Sequence, residues 1–278
     1  MVPVFLAPPS IPWRPTHTPE DAGDLMPATD PRSDHPGSSG QTDLDLQLLE
    51  ALRAGRGGDP ADLARADSSW FARARVLRDE FGRLQMYYGF GIEEVSTKIR
   101  ILRQEFEQVY DYTPIEHVRT RLKSPESLLA KALRQGTELT VPAIRAEIRD
   151  IAGIRVTCSF VSDVYWIAEM LSAQPDLTVL TTKDYIAHPK PNGYRSLHLI
   201  VQVPVFLSRH TEHIPVELQI RTIAMDFWAS MEHKLRYKYR ADMPDDLRAE
   251  LDDAAAVAAQ LDARMGRLRD EVRPAPGA

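Results

Sequence analysis

Residues 183–198, with the sequence KDYIAHPKPNGYRSLH, gather lysines, an aromatic ring and turn formers in a pattern suited to holding a nucleotide. Pro189, Pro191, Asn192 and Gly193 fix or permit the backbone angles of a tight turn. Beyond the turn, Tyr194, Ser196 and His198 alternate with Arg195, Leu197 and Leu199, which in a strand puts the first three on one face. Lys183 and Lys190 stand on the approach, where ammonium groups can meet phosphate oxygens while Tyr194 offers its ring to a base. Alone, the same residues would also suit a solvent-exposed hairpin with scattered lysines.

A second set of cations precedes it. From Ile115 the period is two, with His117, Arg119, Arg121 and Lys123 on one face of an expected strand. Ser124-Pro125-Glu126 then supplies an N-cap, a first-turn proline and a first-turn acid, opening a helix with Lys131 and Arg134 on one side. The concentration of positive charge on Arg121, Lys123, Lys131 and Arg134 is best offset by a polyanion, although a solvated basic face would look the same. Two carboxylates sit beside expected strands. Asp150 stands at the entry to the alternating run 151–160, with Arg155 on its polar face, and Glu217 lies on the polar side of the run 213–222. Each is placed to hold a metal ion or activate a hydroxyl, and each is equally suited to pairing with an arginine.

The elements that must carry these groups alternate between helix and strand. Residues 61–112 read as two amphipathic helices separated by Gly89-Phe90-Gly91, with core positions that include Phe81, Leu84, Ile92, Val95, Ile99 and Phe106. A short helix over 141–148, the strand over 151–160, a helix over 161–173, a strand over 177–186 and the strand over 213–222 follow. A long helix starts near Ile223 and an alanine-rich amphipathic one covers 245–272, read as a packing or oligomerisation helix. Before all of these, residues 1–60 form a proline-rich acidic tail expected to be mostly disordered, with a short helix over 43–54. The expected division is therefore tail 1–60, core domain 61–240 and C-terminal helix 241–278.

Bulk properties narrow the function classes. The chain has 278 residues, 43% of them apolar, which suffices for a proper core, and no run approaches the length of a membrane span. A cytoplasmic protein is expected. The single Cys158 excludes an internal disulfide and a cysteine-based zinc cluster, and it reads as a core thiol. Residues 1–50 carry eight acids and two bases, a net −6 that equals the charge of the whole chain, so the remainder is balanced. A locally basic segment in a balanced domain suits a small phosphorylated ligand better than a long nucleic acid.

In order, the motifs are R-x-K-S-x(6)-K-x-x-R, DIAGIR, KDYI…KPNGYRSLH and VELQIRT…FWASMEHKLRYK. This arrangement resembles the synthetase domain of RelA/SpoT-type alarmone synthetases, in particular their small single-domain branch. The resemblance covers roughly residues 114–239. It implies an α/β fold with a nucleotidyltransferase-like mixed sheet of about five strands and flanking helices. It also implies transfer of pyrophosphate from ATP to the ribose 3′-hydroxyl of GDP or GTP, making ppGpp or pppGpp in the stringent response.

The roles it implies are residue by residue. Arg121 and Arg155 would sandwich the ATP adenine, while Lys123, Lys131 and Arg134 would hold its phosphates. Asp150 would bind Mg2+, and Glu217 would complete that metal site or act as the base. Tyr194 would stack on guanine. Lys183, Lys190 and His198 would meet the acceptor phosphates, supported by Asn192, Gln219, Arg221 and Glu232. Relatives often carry Phe and then Thr-Gly ahead of the first arginine, where this chain has His117 and Arg119-Thr120, so alarmone feedback is not expected. The chain has no His-Asp dipeptide for a hydrolase metal pair. Family analogy implies a homo-oligomer, a tetramer. The alternatives are a toxic relative that pyrophosphorylates adenine nucleotides or the tRNA 3′ end, for which the basic run 233–240 is the one candidate surface, and a non-catalytic nucleotide sensor.

Overall fold

The computed structural model describes residues 68–110, 112–239 and 243–272. The expected disordered tail and its short helix lie outside the described residues. In chain order the elements are α1 (Ser68–Val109), β1 (Ile115–Leu122), α2 (Pro125–Gln135), α3 (Val141–Glu147), β2 (Ala152–Cys158), α4 (Val161–Ser172), β3 (Thr178–Asp184), β4 (Leu197–Phe206), β5 (Thr211–Thr222), α5 (Ile223–Tyr239) and α6 (Asp245–Val272). Among the described residues no helix is long and apolar enough to cross a membrane.

The chain divides into two compact units. Tyr87–Leu122 and the residues from Arg149 onward make one; Lys123–Ile148 and the α1 residues up to Met86 belong to the other. The second unit is short and its helix α2 is defined at both ends by its sequence. Ser124 accepts a hydrogen bond from the Ser127 amide at 3.3 Å, Pro125 fills the first turn, and Gly136 closes the helix in the left-handed region at φ 69°. Leu128, Leu129 and Ala132 of α2 are buried, as is Ile144 of α3.

The first unit is built on a five-stranded mixed sheet in the order β1-β2-β5-β4-β3, α/β as expected. β2 and β5 run parallel, and the other neighbours are antiparallel. Strict alternation explains its two faces. Ile154, Val156, Leu218, Ile220, Leu197 and Leu199 point to one side and are almost fully buried, where each contributes roughly 1.5–3 kcal/mol by leaving water. α4 packs on β2, β4 and β5 through Val164, Ile167, Ala168 and Leu171. The thiol of Cys158 is buried in this layer, and burial holds its pKa well above the usual range.

One expectation is corrected. Gly89-Phe90-Gly91 does not break the helix: α1 runs unbroken for 42 residues. The reason for a glycine is lateral contact. A β-carbon at Gly91 would stand 2.6 Å from Cγ2 of Ile214 and 3.4 Å from Cγ2 of Val216, so the helix lies against β5 at a distance that only glycine permits. Tyr88, Ile92, Val95, Ile99 and Phe106 form the buried stripe on either side of that contact. A smaller correction concerns the acceptor loop. β4 begins at Leu197, so Tyr194 and Ser196 lie in the extended segment leading into the strand.

Candidate active site

The opposite face of the sheet carries the polar residues, and strand register sets them side by side. Arg119 pairs with Arg155, Arg155 with Gln219, Gln219 with His198, and His198 with Lys183, a single row across all five strands. The next row runs from Arg121 through Gly153 to Glu217. Paired residues in adjacent strands project to the same side, so register alone brings residues that are about 100 positions apart in sequence to one surface. Gly153 contributes no side chain and leaves open space between Arg121 and Glu217: a β-carbon there would meet only backbone oxygens, at 3.8 and 3.9 Å.

Three of these side chains, Gln219, His198 and Glu217, join Tyr194 and Arg221 in a hydrogen-bonded ring. Arg221 Nη2 donates to Oε1 of Gln219 at 2.7 Å and to the hydroxyl of Tyr194 at 3.1 Å. Gln219 Nε2 donates to Oε2 of Glu217 at 2.9 Å. The Tyr194 hydroxyl lies 2.9 Å from Nε2 of His198, and Nδ1 of His198 lies 3.3 Å from Oε1 of Glu217. The directions are mutually consistent. Tyr194 accepts from Arg221; with its own proton directed to Nε2 of His198, the imidazole carries a proton on Nδ1, facing Glu217. Arg221 is the source of the ring and Glu217 its sink.

This geometry sets the ionisation of its members. Burial pushes the Glu217 carboxyl up, but the hydrogen bond from His198, the charge of that ring when protonated and the hydrogen bond from Gln219 outweigh it. The result lies below the usual carboxylate range, with the charge of Asp150 acting in the opposite sense. Burial raises the phenol of Tyr194, against the opposing charge of Arg221, so the hydroxyl stays protonated through the neutral range. Arg221 is 1% exposed and does not reach the surface.

The loop carrying Tyr194 is fixed by its own backbone. Gly193 N donates to the Lys190 carbonyl at 2.8 Å, Lys190 N to the Tyr194 carbonyl at 3.1 Å, and the Asn192 side chain accepts from Tyr194 N at 3.4 Å. Gly193 takes φ 77°, and its position is pressed by α6: a β-carbon there would lie 2.5 Å from that of Ala255. Asn192 Nδ2 donates to Glu232 of α5 at 3.3 Å. Lys190, Pro191, Asn192, Tyr194, Glu232 and Arg236 line an open pocket of roughly 400 Å³. The ammonium of Lys190 stands 5.1 Å from the Tyr194 ring centre and 4.6 Å from that of Tyr185.

The structure therefore brings together, in one unit, Arg155, Tyr194, His198, Glu217, Gln219 and Arg221, with Asp150 close enough to act on Glu217 electrostatically. Lys190, Asn192 and Glu232 share the adjoining pocket, and exposed Lys183 ends the row beside His198. Arg121 is exposed near the end of β1. Lys123, Lys131 and Arg134 belong to the second unit, where Lys131 is half-buried and Arg134 exposed on α2.

Sequence reasoning gives no role to three residues, although it places Arg119 on the cationic face of β1. Asp226, in the first turn of α5, forms ion pairs with both Arg155 and Arg221. Tyr185 forms the second aromatic wall, and Arg119 extends the row beyond Arg155. Tyr185 was within reach, since it lies in the same lysine-rich stretch as Tyr194. Asp226 carried no signal, being one acid at the start of a helix.

A model of the region found in RelA and SpoT proteins matches residues 120–242. The GTP pyrophosphokinase YwaC of Bacillus subtilis is 46% identical over 198 residues, covering 71% of this chain and 94% of that protein. The chain belongs to the RelA/SpoT family, in its small alarmone synthetase branch. Solved structures agree. The crystal structure of small alarmone synthetase 2 from Bacillus subtilis superposes with a TM-score of 0.64 at 44% identity, covering 69% of this chain and 100% of that one. That of small alarmone synthetase 1 from the same organism, bound to its product pppGpp, gives a TM-score of 0.65 at 40% identity, covering 70% and 98%. The matched family region contains both rows of polar residues apart from Arg119, and the whole acceptor loop.

Proposed function

We propose that the chain is a GTP pyrophosphokinase that moves the β,γ-pyrophosphoryl group of ATP to the 3′-hydroxyl of GDP or GTP. The single observation that carries the reading is the ring joining Glu217 to Tyr194, which places an ionised carboxylate and a stacking ring on one rigid support. In the reaction the 3′-oxygen attacks the β-phosphorus of ATP, the bond from that phosphorus to the α,β-bridging oxygen breaks, and AMP leaves. The proton of the hydroxyl passes to Glu217. Phosphoryl transfer of this kind depends mostly on alignment and charge neutralisation, which a preorganised face supplies.

The guanine base stacks on Tyr194 in the pocket that Asn192 and Glu232 border, and Lys183, Lys190 and His198 face the acceptor phosphates. Gln219 and Arg221 act from behind, holding Glu217 and Tyr194. Arg121 and Arg155 take the adenine, and the donor phosphates fall to Lys123, Lys131 and Arg134 by family resemblance alone.

Asp150 and Glu217 fit the sparse ligand set that Mg2+ takes beside phosphates: their charges act on each other, and one or two carboxylates completed by phosphate oxygens and water are usual for this ion. Among the described residues no group of three or more acidic, His or Cys side chains forms a cage of its own, which suits a metal that arrives with the nucleotide. When bound, the ion supplies charge neutralisation on the transferred group.

Self-association of a cytoplasmic enzyme is part of the same reading. Val257, Leu261, Met265, Leu268 and Val272 are all at least 39% exposed and form an apolar stripe along α6. Light scattering of the purified chain reads the oligomer. The function is tested by AMP release: it should require GDP or GTP together with Mg2+, and AMP formed equally without a guanine nucleotide would overturn the reading.

A further inference from the structure

Asp226 touches both halves of the site. Its Oδ1 lies 3.3 Å from Nη1 of Arg155 and 3.5 Å from Nη1 of Arg221. Its side chain is 19% exposed, that of Arg155 35% and that of Arg221 2%, so water screens the Arg221 contact least. Two guanidinium groups drawn to one oxygen repel each other. Burial foremost, and then the charge of Arg155, press Arg221 toward losing its proton, while Tyr194 and Asp226 oppose them. Among the described residues the Nε atoms of both arginines are buried without a hydrogen-bond partner, so each relies on its terminal nitrogens for orientation.

We propose that Asp226 is a positioning residue that ties Arg155 on the donor side to the acceptor ring through Arg221, and thereby couples the binding of the two nucleotides. This rests on the functional reading above, in which Arg155 holds the donor and Tyr194 the acceptor. A donor base that draws Arg155 away leaves the carboxylate to Arg221 alone. Arg221 is then held more firmly where it donates to Tyr194 and Gln219, and the acceptor surface is better ordered. By linkage the acceptor favours the donor by the same factor.

The test is calorimetry on the full chain with Mg2+, using α,β-methylene ATP, which cannot transfer, and GDP, each alone and in the presence of the other. The parent protein is expected to bind GDP roughly fivefold tighter with the analogue present, the low end of measured couplings. D226N should bring that ratio to one, and D226E, which keeps the charge but moves it, should lower it. D226N should also tighten the analogue in the parent, since Arg155 is released to it, but not in an R155M background, because the partner is already gone. A ratio of one in the parent, an unchanged ratio in both Asp226 variants, or an equal effect of D226N with and without Arg155 would overturn the proposal alone. Failure of the parent to bind either nucleotide would overturn the functional reading and this proposal with it.

Discussion

Nδ1 of His198 lies 3.3 Å from Oε1 of Glu217, and this contact keeps a half-buried carboxylate ionised. Burial alone would raise Glu217; the hydrogen bonds from His198 and Gln219 bring it below the usual range. Because the folded pKa is lower than the unfolded one, the group's contribution to stability is present above the unfolded value and is lost as pH falls through the folded one. The acid limb of synthesis should therefore lie below the ordinary glutamate range. In His198→Gln, where the imidazole is gone, the limb should move to higher pH. A pH profile of kcat/KM for GDP checks this, and an unmoved limb would contradict it.

Glu217→Gln keeps the shape of the side chain and removes its charge. Synthesis should fall by about 10²–10⁴, the range that positioned proton transfer contributes, while KM for ATP changes little. Thermal melting of the variant separates this from unfolding. Full retained synthesis would remove Glu217 from the chemistry.

Tyr194 has two functions that substitutions can divide. Its ring offers a stacking surface, and its hydroxyl closes the hydrogen-bonded ring between Arg221 and His198. Tyr194→Ala should lose about 1–3 kcal/mol of base stacking, a roughly 5- to 150-fold rise in KM for GDP. Tyr194→Phe keeps the ring and should instead lower kcat more than it raises that KM, since Arg221 and His198 lose their shared partner. Steady-state kinetics on both variants distinguishes the two effects.

Two neighbouring glycines in α1 should respond in opposite ways to alanine. A β-carbon at Gly89 would find its nearest neighbour, Cδ2 of Leu122, at 4.0 Å, so Gly89→Ala should stabilise by about 0.5–1 kcal/mol through helix propensity. Gly91→Ala gains the same propensity but drives a methyl to 2.6 Å from Ile214, and overpacking of this kind costs about 1–3 kcal/mol. Urea denaturation should show the first midpoint raised and the second lowered.

Much of the fold was legible because its signals are local. Alternation in 151–160 and 213–222 gave β2 and β5, and Ser124-Pro125-Glu126 marked the start of α2. Gly91 misled because its role is set by Ile214, which lies more than 120 positions downstream and is invisible to any local pattern. The site divides in the same way. Tyr194, Asp150 and Glu217 stand in stretches whose composition advertises chemistry. Asp226 does not, since its part depends on where β2 and β5 deliver Arg155 and Arg221. Nor does the sequence say that Arg221 is buried and acts through Gln219 and Tyr194.

The most direct test of the central claim follows the label. Purified protein is incubated with Mg2+ and ATP carrying β-phosphate label, with GDP, GTP, AMP or bulk tRNA supplied separately as acceptor. The account predicts that the label appears in ppGpp and pppGpp, with AMP released in equal amount and nothing transferred to the other acceptors. Label in adenine nucleotides or tRNA, or no transfer to GDP and GTP, would contradict it.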